Sequence, residues 1–387
     1  MQLASKVAFA AGLVFVLAAC SSPSSGDPAA PDSAVDIDSS PVDSFGDPFD
    51  GPAPFDSTVD AAETDGSTFS DHLSATTLYA DFKSKTVRSD LIEFSPAYAL
   101  WSDNAVKHRW LQLPPGTKID TSDMDNWKFP IGSKFWKEFR LQDGTLLETR
   151  LIERTGESSY RFGSYVWKAD ASDAIYTEAG AANINGTDWN VPDLGQCQGC
   201  HLASPGRING FQAVQLSKPG PGTNLRSLAD KGLLSNPPPA GVMYPVPGNA
   251  VESAALGYLH ANCGHCHNPN WTFFTVTDQV LRLTIADRDV ATSGPVMSTV
   301  YGRTKSYHAL PFRIVPGDST NSAVIVRMGH RGDGEAMPPI GSKKTDPTGI
   351  AAVKTWIDSL PKSPPPDAGV DGSSDAGPPD VGDASPD

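Results

Sequence analysis

Residues 262–268 read Asn262-Cys263-Gly264-His265-Cys266-His267-Asn268, and the reading of this stretch decides the architecture of the second half of the chain. Two chemistries compete for its sulfurs. Cys263 to Cys266 have the C-x-x-C spacing of a redox dithiol, which works best at a strand-to-helix turn, where the helix N-terminus lowers the thiol pKa. Cys263 to His267 form C-x-x-C-H, in which two thiols and the next imidazole act together. The residues in front, Glu252 to Asn262 (E-S-A-A-L-G-Y-L-H-A-N), are Ala-rich, with Leu256 and Leu259 at helical spacing. A helix, not a strand, therefore runs into the motif.

A twin stands upstream. Cys197-Gln-Gly-Cys200-His201 has the same spacing, and Cys20 is the only other cysteine. An exported chain with paired cysteines ordinarily makes disulfides, yet here both pairs are followed by His. C-x-x-C-H is the attachment signature of covalent c-type haem, in which the thiols bond the porphyrin and the adjacent His ligates iron. Two covalent haem c groups are therefore expected, one on Cys197, Cys200 and His201, the other on Cys263, Cys266 and His267. A zinc site is disfavoured, because the pairs lie more than 60 residues apart and both histidines would be left without a role. The tetrad C-G-H-C matches the active-site letters of protein disulfide isomerase, but Asn262 stands where that family has Trp. Thiol–disulfide exchange is the minor alternative.

The ends of the chain bound its compartment. Lys6 followed by Val7 to Ala19 is an apolar run too short to span a bilayer. It ends in Leu17-Ala18-Ala19-Cys20, which resembles a bacterial lipoprotein signal over residues 1–20, with lipid on Cys20 as anchor. Ser21 in place of Asp resembles an outer-membrane address, facing the periplasm. Residues 21–70 carry eleven acids and no Lys or Arg, and read as a disordered stalk; residues 361–387 form a similar acidic, Pro-rich tail. The net charge of −15 belongs to these tails, since residues 71–360 hold 28 acids against 28 Lys and Arg. That balance argues against a nucleic-acid partner.

Residues 71–190 read as an antiparallel β domain, sandwich-like. Lys134–Leu141, Thr145–Thr155 and Ser159–Lys168 alternate, Asp143-Gly144 marks a hairpin turn, His108–Leu113 is further strand material, and the many Trp and Tyr are core. Residues 191–250 are loop-rich, with a short helical turn entering the first haem motif. Residues 251–360 begin with the helix into Cys263 and end with one capped by Asp346-Pro347, whose face is Ile350, Val353, Trp356, Ile357 and Leu360. Between them, V-L-R-L-T-I (280–285) and the run ending in Met328 (A-V-I-V-R-M) look strand-like, and Met328 reads as core. The fold class is α+β: the β domain followed by a mainly α, cytochrome c-like dihaem region.

A helix with Gly257 and Tyr258 before C-x-x-C-H, a later Met337-Pro338-Pro339, and a closing helix with Trp356 together resemble a class I cytochrome c. The resemblance implies that the two helices cross, with Gly257 permitting close approach, that His267 is the proximal iron ligand and that Met337 is the distal one. The seventy residues between His267 and Met337 would be an insertion. The whole of 71–360 also resembles a bacterial family of exported dihaem c-type proteins, through A-L-W-S-D-N-A-V-K-H-R-W-L-Q-L-P-P-G-T-K-I (99–119), V-P-D-L-G-Q-C-Q-G-C-H (191–201), Y-L-H-A-N-C-G-H-C-H-N-P (258–269) and I-V-P-G-D-S-T-N-S (314–322).

A His/Met pair closes the iron's coordination and raises its potential, so the second haem is expected to carry electrons. For the first haem, Met243, His260 and His308 are candidate distal ligands, although each reads more readily as an ordinary structural residue: Met243 as core, His260 as a helix residue, His308 as a surface residue. With none of them bound, the first haem would be open, as in a dihaem peroxidase. Electron transfer between redox partner proteins is the preferred expectation.

Overall fold

The computed structural model describes residues 69–271, 274–305, 307 and 309–362. Cys20, the signal segment, residues 21–68, His308 and residues 363–387 lie outside the described residues. The folded body starts slightly before residue 71: Phe69 is buried and the Ser70 carbonyl accepts from the Tyr165 hydroxyl at 3.1 Å.

The β region is one six-stranded antiparallel meander in the order β3 to β8, with a two-stranded ribbon of β1 (Tyr79–Asp81) and β2 (Thr86–Val87). The meander comprises β3 (Ile92–Glu93), β4 (Val106–Gln112), β5 (Lys134–Arg140), β6 (Leu146–Arg154), β7 (Tyr160–Trp167) and β8 (Ala174–Thr177). A sandwich of two full sheets is not formed. The ribbon is too short to be a second sheet, and it covers the outer face with Leu78, Tyr79, Phe82 and Val87 against Trp110, Trp136, Leu151, Tyr165 and Trp167. The tryptophans are core, as their alternation implies. The Asp143-Gly144 turn closes β5 to β6, with Gly144 at φ +92° and the Asp143 carboxylate accepting from the Thr145 amide at 2.9 Å.

Eight helices follow among the described residues: α1 (Leu194–Leu202), α2 (Ala213–Leu216), α3 (Leu225–Asp230), α4 (Ala250–Asn262), α5 (Phe274–Thr277), α6 (Gly294–Thr299), α7 (Ala323–Gly329) and α8 (Pro347–Ser359). Of these, α1 packs on β7, and residues of α2, α3, α4, α7 and α8 join the core beneath the sheet's inner face. Leu111 and Phe135 share one core with Phe211, Leu256, Leu259, Val353 and Trp356, so the sheet and the helices bury a common apolar surface.

α4 and α8 pack against each other. α8 begins as expected: Asp346 accepts from the Thr348 and Gly349 amides, both at 3.0 Å, with Pro347 in the first turn. The glycine that permits close approach is Gly349, where an added Cβ would fall 2.0 Å from the Tyr258 ring. Gly257 instead faces Tyr98, at 2.2 Å. The expected small–aromatic pairing exists with its partners exchanged between the helices.

Two strand readings fail. A-V-I-V-R-M is helix α7, with Ala323, Ile325 and Met328 buried, so Met328 is core as read but on a helix. V-L-R-L-T-I joins no ladder, because its amides find other acceptors. Leu281 N–H donates to the His267 carbonyl (2.8 Å), Leu283 N–H to His260 Nδ1 (2.9 Å) and Ile285 N–H to the Asp125 carboxylate (2.8 Å).

Candidate haem-binding site

The first motif is built into a helix rather than a single turn. Asp193 and Gln196 form a reciprocal capping box, with Asp193 accepting from the Gln196 amide at 2.8 Å. Cys197, Cys200 and His201 then fall at spacings of three and four on one side of α1. α1 packs on β7, and the His201 ring lies 5.5 Å from the Phe162 ring, centroid to centroid.

His201 is held in one tautomer. Its Nδ1 lies 2.7 Å from the Arg207 carbonyl, an acceptor, so the proton sits on Nδ1 and Nε2 keeps its lone pair. Burial pushes the ring's pKa down to about 4, which keeps it neutral. The carbonyl is presented by Arg207 in the left-handed region, φ +59°, and Arg207 also hydrogen-bonds back to the Leu202 carbonyl.

The second motif starts where α4 stops. Cys263 caps the helix, and the Cys266 and His267 amides donate to the Cys263 carbonyl at 3.0 and 2.8 Å. Gly264 admits no side chain: a Cβ would meet the His260 carbonyl at 2.7 Å and Arg282 Cα at 2.8 Å. Burial pushes His267 down to about 4 and the Cys263 thiol up to about 12.

The flanking asparagines are joints. Asn262 accepts from the Trp101 amide at 2.6 Å and donates to the Ala99 carbonyl at 3.2 Å. Trp101 Nε1 in turn donates to the Lys344 carbonyl at 2.8 Å, and Asp103 accepts from the Lys343 and Lys344 amides. The A-L-W-S-D-N stretch thus straps the second motif to the loop that carries Met337. Met337 N–H donates to the Arg327 carbonyl at 3.0 Å, and the positive field of Arg327 also helps to lower the His267 pKa.

Asn268, fully buried, joins the two motifs by donating to the His265 and Gly264 carbonyls and, at 3.3 Å, to the Ala203 carbonyl two residues past His201. Across this seam Cys200 has Cys266 and His265 as neighbours. These contacts pull the Cys200 thiol well below its ordinary range, while Cys266 is pushed up. His265 Nδ1 is buried without a hydrogen-bond partner among the described residues. No sequence signal marks it, because the contact is made across the fold.

The candidate distal ligands of the first haem fare differently. His260 is 5 % exposed and both ring nitrogens are engaged: Nδ1 accepts from the Leu283 amide at 2.9 Å and Nε2 faces the Gln212 side-chain amide at 2.6 Å. It offers no free lone pair. Met243 lines a cleft of about 440 Å³ formed with α3 and Pro237 to Pro239. His308 lies outside the described residues.

The donor set fits covalent haem. Each motif supplies two thiols outside any disulfide and a neutral imidazole, and at His201 the free nitrogen is fixed. Comparison of the chain with family models, with curated proteins and with solved structures returns no match.

Proposed function

We propose that the chain is a dihaem c-type cytochrome that carries electrons in the bacterial cell envelope. The observation that carries this reading is His201, held by the Arg207 carbonyl as a neutral imidazole with Nε2 available, directly after two unpaired cysteines on one helix face. Haem iron, when bound, supplies reversible one-electron chemistry. Cys197 with Cys200, and Cys263 with Cys266, would anchor the two groups, and His201 and His267 would ligate from the proximal side. Met337 would close the second site, and its thioether favours the reduced ion. The reach between Cys200 and Cys266 makes the anchor points neighbours, which suits passage of an electron between the sites. Lipid on Cys20 would tether the protein to the outer membrane, with the acidic stalk as spacer, and its partners would be redox proteins of the periplasm. The dihaem peroxidase reading needs an open first site, and the engaged nitrogens of His260 remove one group that could close it.

One observation favours thiol–disulfide exchange instead: the acidic Cys200 against Cys266 resembles a reactive thiol beside its resolving partner. Intact-mass measurement after expression with a cytochrome c maturation system separates the two. The proposal expects two covalent haem additions, and one only in the Cys197→Ala/Cys200→Ala variant. Four titratable thiols and no added mass would favour the dithiol.

A further inference from the structure

The inner face of the sheet carries a row of cations beneath the first motif. Register pairs Arg109 with Lys137, Lys137 with Arg150 and Arg150 with Ser164, so these four side chains cross β4 to β7 on one face. Phe162, two residues from Ser164, shares that face and meets the His201 ring. Lys137 and Arg150 both contribute to the positive field at His201. The row is therefore next to the first motif.

Its charges are not balanced. Arg150 is paired with Glu148 at 2.5 Å, and Lys107 donates to the Leu100 carbonyl at 2.7 Å. Arg109 is 7 % exposed, yet its guanidinium makes no hydrogen bond or ion pair among the described residues. Among the described residues Lys137 makes no hydrogen bond or ion pair; its ammonium lies 4.7 Å from the Phe139 ring centroid, and burial and the neighbouring Arg109 and Arg150 hold its pKa well below the ordinary lysine range, with Glu148 opposing them. Arg109 is buried and Lys137 half-buried, and the only acid whose field reaches Lys137 among the described residues, Glu148, is already paired with Arg150, so an anion placed between Arg109 and Lys137 would be stabilised.

The geometry points to an anion seat formed by Arg109 and Lys137, which receives a carboxylate of the molecule bound at Cys197, Cys200 and His201. This rests on the haem reading for the identity of that molecule, whose own carboxylates are one source; a small free dicarboxylate is the other. On either source the sheet supplies the polar floor of the first site, which gives the β region a role in binding.

The test uses the full-length, matured protein and its Arg109→Gln, Lys137→Gln and Arg109→Lys variants, with folding checked by circular dichroism. Midpoint potentials are read by spectroscopic titration, and succinate binding by calorimetry. Removing a cation beside the first site should lower one potential, by about tenfold in the one-electron equilibrium or about 59 mV, leave the other unchanged, and be reversed in Arg109→Lys. That result with no succinate heat assigns the seat to haem carboxylates. Succinate binding to the parent protein that is lost in Arg109→Gln assigns it to a free anion. Folded Gln variants with both potentials and the succinate response unchanged would overturn the seat and leave the haem reading intact. If the protein carries no covalent haem, the haem reading fails, and succinate calorimetry alone decides: binding that Arg109→Gln abolishes keeps the seat, and absence of binding removes it.

Discussion

Single hydrogen bonds set the chemistry of the imidazoles. The Arg207 carbonyl fixes the tautomer of His201, whereas the Leu283 amide and Gln212 consume both nitrogens of His260. His260 consequently makes a stability prediction. Burial holds its pKa at about 3, against an unfolded value of about 6.5, so the unfolded chain takes up the proton first. The stability it contributes is full above pH 6.5 and declines by about 1.4 kcal/mol per pH unit below it, down to about pH 3. Urea unfolding at pH 7.5 and pH 5 should show the parent losing roughly 2 kcal/mol more than His260→Gln; parallel losses would mean that His260 is not held neutral. Met337→Ala makes a second prediction: one of two haem potentials should fall and the other stay. An unchanged pair would remove Met337 from the site. At this scale the two C-x-x-C-H motifs are legible in the sequence because their residues are adjacent in the chain. Arg207, Gln212 and His265 are not legible, since their partners come from distant segments.

Among the elements, the packing of α4 against α8 depends on Gly349 lying flat against Tyr258. Gly349→Val should overpack this contact and cost about 1–3 kcal/mol in the unfolding midpoint. Gly329→Ala, where an added Cβ meets nothing within 4 Å, should be neutral or slightly stabilising. Equal behaviour of the two variants would show that the helices are not in close contact at Gly349. Removing the cap of α1 by Asp193→Ala should cost about 1 kcal/mol, with weaker retention of the first haem; an unchanged unfolding midpoint would mean that the cap does not hold α1. The long strands and the capped helices could be read because alternation, turn residues and caps are local signals. α7 could not, because A-V-I-V-R-M is β-branched and apolar without a helical period. Its helix is imposed by packing of Ala323, Ile325 and Met328 into the shared core.

Taken as a whole, the molecule brings two motifs more than 60 residues apart to one seam, closed by Asn268 and by the Cys200–Cys266 approach. The two motifs are readable in the sequence; their adjacency, and the sheet's place under the first of them, are not, because both arise from the core that sheet and helices share. If the anchors are neighbours, oxidation of one haem should shift the potential of the other, so the titration should depart from two independent one-electron steps; two independent steps would argue against contact. The central claim is that all four thiols are covalent anchors. Full-length protein, made with a working cytochrome c maturation system, is denatured, washed and converted to the pyridine haemochrome. The account predicts a c-type spectrum at two haems per chain that survives the washing. A colourless denatured protein with four free thiols would contradict it.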